Sequence, residues 1–134
     1  MNTTELRLVL KVGCALLAIS LPMGVALEAL HGFKVAQWLA SPMRRELWRL
    51  AHAHGSMLGI LCLLYVALAP HHVEDQRARV RAGRELALGA VLMPLGFFAG
   101  GVLNFEGDPS LGILLVPVGA LLIVSALVRV LRAV

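Results

Sequence analysis

Four apolar runs, residues 8–30, 50–69, 86–103 and 111–128, fill most of this chain and leave its ionisable side chains at their ends. Each run is about as long as the roughly 20 residues a helix needs to cross a hydrocarbon core of about 30 Å. Hydrocarbon offers no water to backbone N–H and C=O groups, so a segment placed there must bond to itself as a helix. Hydrophobic residues make up 59% of the chain and charged residues 15%. A soluble domain with so few charges cannot cover that much apolar surface. The sequence therefore predicts an all-α integral membrane protein, a four-transmembrane-helix bundle with an interfacial amphipathic segment between its first two helices.

The 134 residues form a single transmembrane domain. Only segments 31–49 and 70–85 remain as sizeable loops, which leaves no room for a soluble catalytic domain. The pI near 9.8 would suit nucleic acid, but the arginines cluster at helix ends and form no continuous basic face. Lipid headgroups are the expected partner, and no nucleic acid is expected. Cys14 and Cys62 both lie inside apolar runs and read as small buried residues. The absence of a Cys-x-x-Cys-His motif excludes covalent c-type haem attachment. Arg7 and Lys11, preceding an apolar stretch, give the first run the look of a signal peptide, but Ala26-Leu27-Glu28 is a poor cleavage site, so the segment is expected to stay as a helix.

Four crossings return both termini and the middle loop to one face. That face carries Arg7, Lys11, Arg77, Arg79, Arg81, Arg84, Arg129 and Arg132, against Lys34, Arg44, Arg45 and Arg49 on the other. Positive charge favours the cytoplasmic side, so both termini are expected to be cytoplasmic, with the protein in a bacterial inner membrane. On the outer side, residues 33–39 mix apolar and polar side chains around Trp38 and should lie along the headgroup boundary. Ser41-Pro42 reads as an N-cap followed by proline at the first helical position, opening a helix that runs into the second crossing until Pro70 stops it. Trp48 falls where an interfacial anchor belongs. The charged segment 71–85 reads as a solvated inner loop.

Spacings of three and four place Gly13, Cys14, Leu17, Ser20, Leu21, Gly24, Glu28 and His31 on one stripe of the first helix. His52, Gly55, Ser56, Gly59 and Cys62 do the same on the second, and Gly89, Met93, Gly96 and Gly100 on the third. Gly112, Gly119 and Ala126 recur at seven on the fourth. Small residues let backbones approach closely, and close packing holds helices together in lipid. Gly24, Gly55, Ser56, Gly59, Gly96 and Gly100 are therefore the expected packing positions. A face left over would serve a homo-oligomer or a larger membrane complex. Pro22, Pro94 and Pro117 fall inside crossings and should bend them.

A polar cluster collects at the outer end. Glu28 and His31 close the first helix, His52 and His54 open the second, and Asn104, Glu106 and Asp108 lie at the outer turn between the third and fourth. An ionisable group at the hydrocarbon boundary is costly unless paired, and marks a candidate site. Glu28, His31, His52, His54 and Asn104 are the candidate ligand- or cofactor-binding residues. Neighbours two apart on a helix diverge by about 200°, so His52 should look at Glu28 and His31 while His54 looks elsewhere. Three readings stay open. A Glu28–His52 or Glu28–His31 hydrogen bond would fix helix register. A histidine would ligate haem b or a divalent metal. A proton, quinone or other small ligand would occupy a pocket. Glu28-Ala29-Leu30-His31 has the Glu-x-x-His spacing of di-metal bundles, but it occurs once and the partner carboxylates are missing. Leu50-Ala51-His52-Ala53-His54-Gly55 resembles the haem-ligating helix of haem–copper oxidases, whose remaining histidine motifs are absent.

Ala29-Leu30-His31-Gly32-Phe33-Lys34, Leu50-Ala51-His52-Ala53-His54-Gly55, Leu95-Gly96-Phe97-Phe98-Ala99-Gly100-Gly101 and Leu115-Val116-Pro117-Val118-Gly119-Ala120 occur in that order. The order resembles a family of small four-span membrane proteins of unknown function, with bacterial members and a mitochondrial branch in animals. This chain departs from that pattern at Glu28, at Ser41-Pro42-Met43-Arg44-Arg45 and at Gly107-Asp108-Pro109. The resemblance implies four spans and no assigned activity. The functional expectation is a small membrane protein without catalysis of its own, structural or accessory or small-ligand-binding. A haem- or metal-binding redox subunit is the alternative, and a small oligomeric transporter or channel is a third.

Overall fold

A computed structural model describes the chain apart from Met1, Asn2, Leu103, Phe105 and Glu106. Its helices are α1 (Thr3–Gly32), α2 (Ala36–Leu39), α3 (Pro42–His72), α4 (Gln76–Val102) and α5 (Leu115–Leu131), with a 3-10 turn at Leu111–Leu114 leading into α5. Glu5–Gly32, Pro42–His72, Gln76–Val102 and Leu111–Leu131 are long and apolar enough to cross a membrane.

The helix ends follow from local chemistry. At the start of α3, Ser41 Oγ accepts the Arg44 N–H at 3.3 Å, with Pro42 at the first helical position, as its sequence predicts. α1 ends in a Schellman motif. The Val35 N–H reaches back to the Leu30 carbonyl and the Lys34 N–H to that of His31, both at 3.1 Å, with Lys34 in left-handed backbone at φ 53. α2 is a single turn that tucks Trp38 against the bundle at 5% exposure.

Three local expectations are corrected. α3 does not stop at Pro70 but continues to His72, closed by a Val73 N–H bond to the Ala69 carbonyl. A proline in the last turn forfeits one donor but does not prevent its successors from bonding back. Residues 76–85 are helix rather than loop. Asp75 caps them through the Arg77 N–H at 2.8 Å, and their Arg, Ala and Glu side chains favour helix. Pro117 falls in the first turn of α5 rather than in a helix interior, because a 3-10 turn precedes it, and an N–H at that place has no helical partner to lose. The expected end of the third crossing at 103 falls outside the described residues.

Consecutive spans pack antiparallel, as paired contacts show: Gly13 with Cys62, Gly24 with His52, Gly101 with Trp48, and Gly89 with Gly119. α4 is the hub. It contacts α1, α3 and α5, whereas α5 meets α4 and the 3-10 turn but neither α1 nor α3 among the described residues. The core threads Val9, Leu58, Cys62, Ala82, Leu86, Ala90, Ile123 and Ala126 through that hub.

Glycine makes the interfaces close. A Cβ on Gly59 would lie 3.0 Å from Leu17 and 3.1 Å from the Gly13 carbonyl, and one on Gly13 would lie 3.0 Å from the Gly59 carbonyl. α1 and α3 therefore touch backbone to backbone, as their small-residue stripes predict. Gly55 faces Ser20, Gly96 faces Val116, and Gly100 faces Ile113 and Leu47. The expected α1 stripe is wider than the real one. Cys14 and Leu21 are exposed, because the contact line runs through Gly13, Leu17, Ser20, Gly24 and Leu27 and they sit at its edge. At the end holding the termini, Glu5 pairs with Arg84. Glu85 there takes Arg129 at 2.7 Å and the Ser125 hydroxyl at 3.0 Å.

Candidate functional site

At the other end of the bundle, α1 and α3 part to form a groove with two adjoining lobes. The upper lobe, about 660 Å³, is lined by Glu28 and His31 of α1, Arg45, Glu46 and Arg49 of α3, and Trp38 of α2. The lower lobe, about 790 Å³, shares Leu27, Glu28, Glu46 and Arg49 and runs a turn deeper to Leu21, Gly24, Val25, His52 and Ala53. Each volume falls in the range of small-ligand sites, roughly 300–1,000 Å³. The groove thus passes from charged walls near the helix ends to apolar walls within the spans.

Local structure explains why these side chains converge. The Schellman turn and α2 fold the chain back over the end of α1, so α3 starts beside Glu28 and His31. The Ser41 cap sets the rotation of α3. Spacings of three and four then carry Arg45, Glu46, Arg49 and His52 down one side of it.

His52 does not bond to Glu28. Its Nδ1 lies 2.7 Å from the Ser20 carbonyl oxygen of α1. A carbonyl only accepts, so Nδ1 carries the proton and Nε2 keeps the lone pair when the ring is neutral. The ring lies against Gly24, where a Cβ would be 2.5 Å from Cε1 and 2.8 Å from Nε2. Gly24 thus packs α1 against α3 through this imidazole. The expected bond from Glu28 to His31 or His52 is not formed among the described residues. Glu28 and His31 are exposed on the wall of the shared groove.

His54 diverges as its position two residues on requires. It faces neither His52 nor the groove: its Nδ1–H donates to the Leu50 carbonyl one turn back at 2.8 Å, and its ring packs on Phe97 of α4 at 4.8 Å between centroids. Nε2 is again the nitrogen left with a lone pair.

Asn104 joins neither histidine. Its Nδ2 donates to Ser41 Oγ at 3.1 Å, and its Oδ1 accepts from Arg44 Nη2 at 3.4 Å. Arg44 Nε also bonds the Gly101 carbonyl at 3.0 Å, and Trp48 Nε1 the Phe98 carbonyl at 3.2 Å. These bonds cap the C-terminal carbonyls of α4 with side chains of α3. Asn104 therefore belongs to a structural clasp, and Trp48, stacked on Phe98 at 5.1 Å, is its apolar half. The expected role of Glu106 lies outside the described residues. Ser56 Oγ and Trp38 Nε1 are buried without a hydrogen-bond partner among the described residues.

Arg45, Glu46 and Arg49 are the groove residues that sequence reasoning passed over. Their signal was the three- and four-residue spacing leading up to His52. It was obscured because they precede the apolar run, where Arg45 and Arg49 read as orientation-setting charges of the outer face. Among the described residues no three His, Cys, Asp or Glu side chains gather closely enough to hold a metal ion. Comparison with family models, curated proteins and solved structures finds no match to this chain.

Proposed function

We propose that this chain is a small integral membrane protein, without catalysis of its own, that binds an amphipathic small ligand in the groove between α1 and α3. The observation that carries this reading is the state of the groove's charges. Glu28, Arg45, Glu46 and Arg49 line one cavity, yet among the described residues none of them forms an ion pair, whereas the opposite end of the bundle pairs Glu5 with Arg84 and Glu85 with Arg129. Charges held together at a hydrocarbon boundary favour a site over a strut. His52, fixed in one tautomer by Ser20, offers Nε2 as an acceptor at the deeper lobe. The excess of Lys and Arg on the side of the termini supports a bacterial inner-membrane protein with cytoplasmic termini and the groove at the outer face. The uncovered Ala15, Ala18 and Ala26 on α1 support assembly into a homo-oligomer or a larger complex. The test is mass spectrometry of small molecules extracted from detergent-purified protein. A molecule retained by the wild type and lost from Arg49→Gln and His52→Ala is expected. Recovery of no selectively retained molecule overturns the reading.

A haem- or metal-binding redox subunit is the second reading. It is favoured by one observation: both His52 and His54 donate Nδ1–H to a backbone carbonyl, the arrangement that commonly orients a ligating imidazole. An absorption spectrum and metal analysis of the same preparation separate the two. A visible band lost in His52→Ala or His54→Ala favours the redox subunit.

A further inference from the structure

We infer that the occupant of the α1–α3 groove is a phospholipid with a zwitterionic, amine-bearing headgroup, which rests on the reading of that groove as a ligand site. The upper lobe offers both signs of charge: Arg45 and Arg49 for a phosphate, Glu28 and Glu46 for an ammonium. A purely anionic head would bring its charge beside two carboxylates, and a purely cationic head would meet two guanidiniums. Only a head carrying both signs satisfies each pair, and guanidinium with phosphate is among the stronger charge-assisted contacts.

The lower lobe supplies the second half of an amphipath. It leaves the charged end beside Leu27 and continues to Leu21 and Val25, which are 58% and 72% exposed on the outside of α1. These side chains lie within a span, so the groove opens sideways to hydrocarbon and not only towards water. A soluble zwitterion would leave that lobe without a partner, while an acyl chain lies along it. The headgroup has a further reason to remain. A counter-charged ligand compensates each carboxylate and guanidinium of the groove where the chain itself supplies no partner.

The experiment reads both the lipid class and the groove. Val25→Cys in a Cys14→Ser background places a thiol at the deeper lobe, and its alkylation by N-ethylmaleimide is followed in detergent. Phosphatidylethanolamine is expected to protect it at concentrations roughly tenfold below phosphatidylglycerol, a preference of the size that one charge-assisted contact confers. Soluble phosphoethanolamine should give no protection. Adding Glu28→Gln and Glu46→Gln should erase the preference between the two lipids. Glu28 and Glu46 are exposed, so this variant should keep the wild-type melting temperature. Equal protection by both lipids, protection by phosphoethanolamine alone, or a preference that survives the glutamine changes overturns the inference. Protection by a total lipid extract but by none of the pure lipids overturns the lipid class and leaves the groove as a ligand site. No protection by any addition removes both.

Discussion

The imidazole of His52 lies in the notch left by Gly24 and donates its Nδ1–H to the carbonyl of Ser20, joining α3 to α1 through a bond of 2.7 Å. One side chain thus fixes the register of two membrane helices and forms part of a groove wall. Pro22 lies two residues after Ser20, inside a continuous α1. The carbonyl's second lone pair lets it take the imidazole proton in addition to its helical bond.

Gly24→Ala should therefore act through His52. The new methyl would stand 2.5 Å from Cε1, and the ring, tethered at Nδ1, cannot simply swing aside. Overpacking of this kind costs about 1–3 kcal/mol. His52→Ala in the same chain removes the obstruction, so the double variant should be more stable than the sum of the single effects predicts. Additive unfolding free energies in detergent would count against this coupling.

Gly59→Leu should disrupt the bundle far more than Leu61→Ala. A side chain on Gly59 meets Leu17 and the Gly13 carbonyl at 3.0 and 3.1 Å, so the α1 backbone has to retreat along the whole interface. Leu61 is half-buried and its truncation leaves a gap that lipid or neighbours can fill. Thermal unfolding in detergent decides, and equal melting temperatures would contradict the close-packed interface.

Lys34→Gly should stabilise the protein. Lys34 takes φ 53 at the Schellman turn, a conformation that costs an L-residue about 1–2 kcal/mol and that glycine adopts freely. The gain should be about 1 kcal/mol, reduced by the greater freedom of glycine in the unfolded chain. A loss of stability would mean that the Lys34 side chain itself makes a stronger contribution at the headgroup boundary.

Cysteines introduced one at a time at Thr3 and Asp108, in a Cys14→Ser background whose remaining Cys62 is buried, test the orientation. The bundle places these positions at opposite ends, and the Lys/Arg excess predicts that residue 3 faces the cytoplasm. A membrane-impermeant maleimide added to intact cells should label Asp108→Cys and spare Thr3→Cys. The reverse pattern would invert the topology and place the groove on the cytoplasmic side.

The sequence alone determined four membrane-spanning helices, the Ser41-Pro42 start of α3, the glycine stripes that bring α1 against α3, and the divergence of His52 from His54. These are local properties: run length, capping chemistry and helical period all act within a few residues. Tertiary structure decided the partners. The order of the residues puts Glu28 and His52 near the same depth, which suggested a bond between them, but the axial offset of α3 on α1 sets the imidazole against Gly24 and the Ser20 carbonyl, roughly two helical turns from Glu28. A backbone acceptor has no residue signature, so no pattern of side chains announces it. In the same way, the position of α5 on α4 and the placing of Glu28 and Arg49 on one groove depend on axial offset and crossing geometry. Those are set by the summed fit of all the interfaces. Hydropathy and spacing place each helix in the membrane; which face meets which neighbour is fixed only when the whole bundle packs.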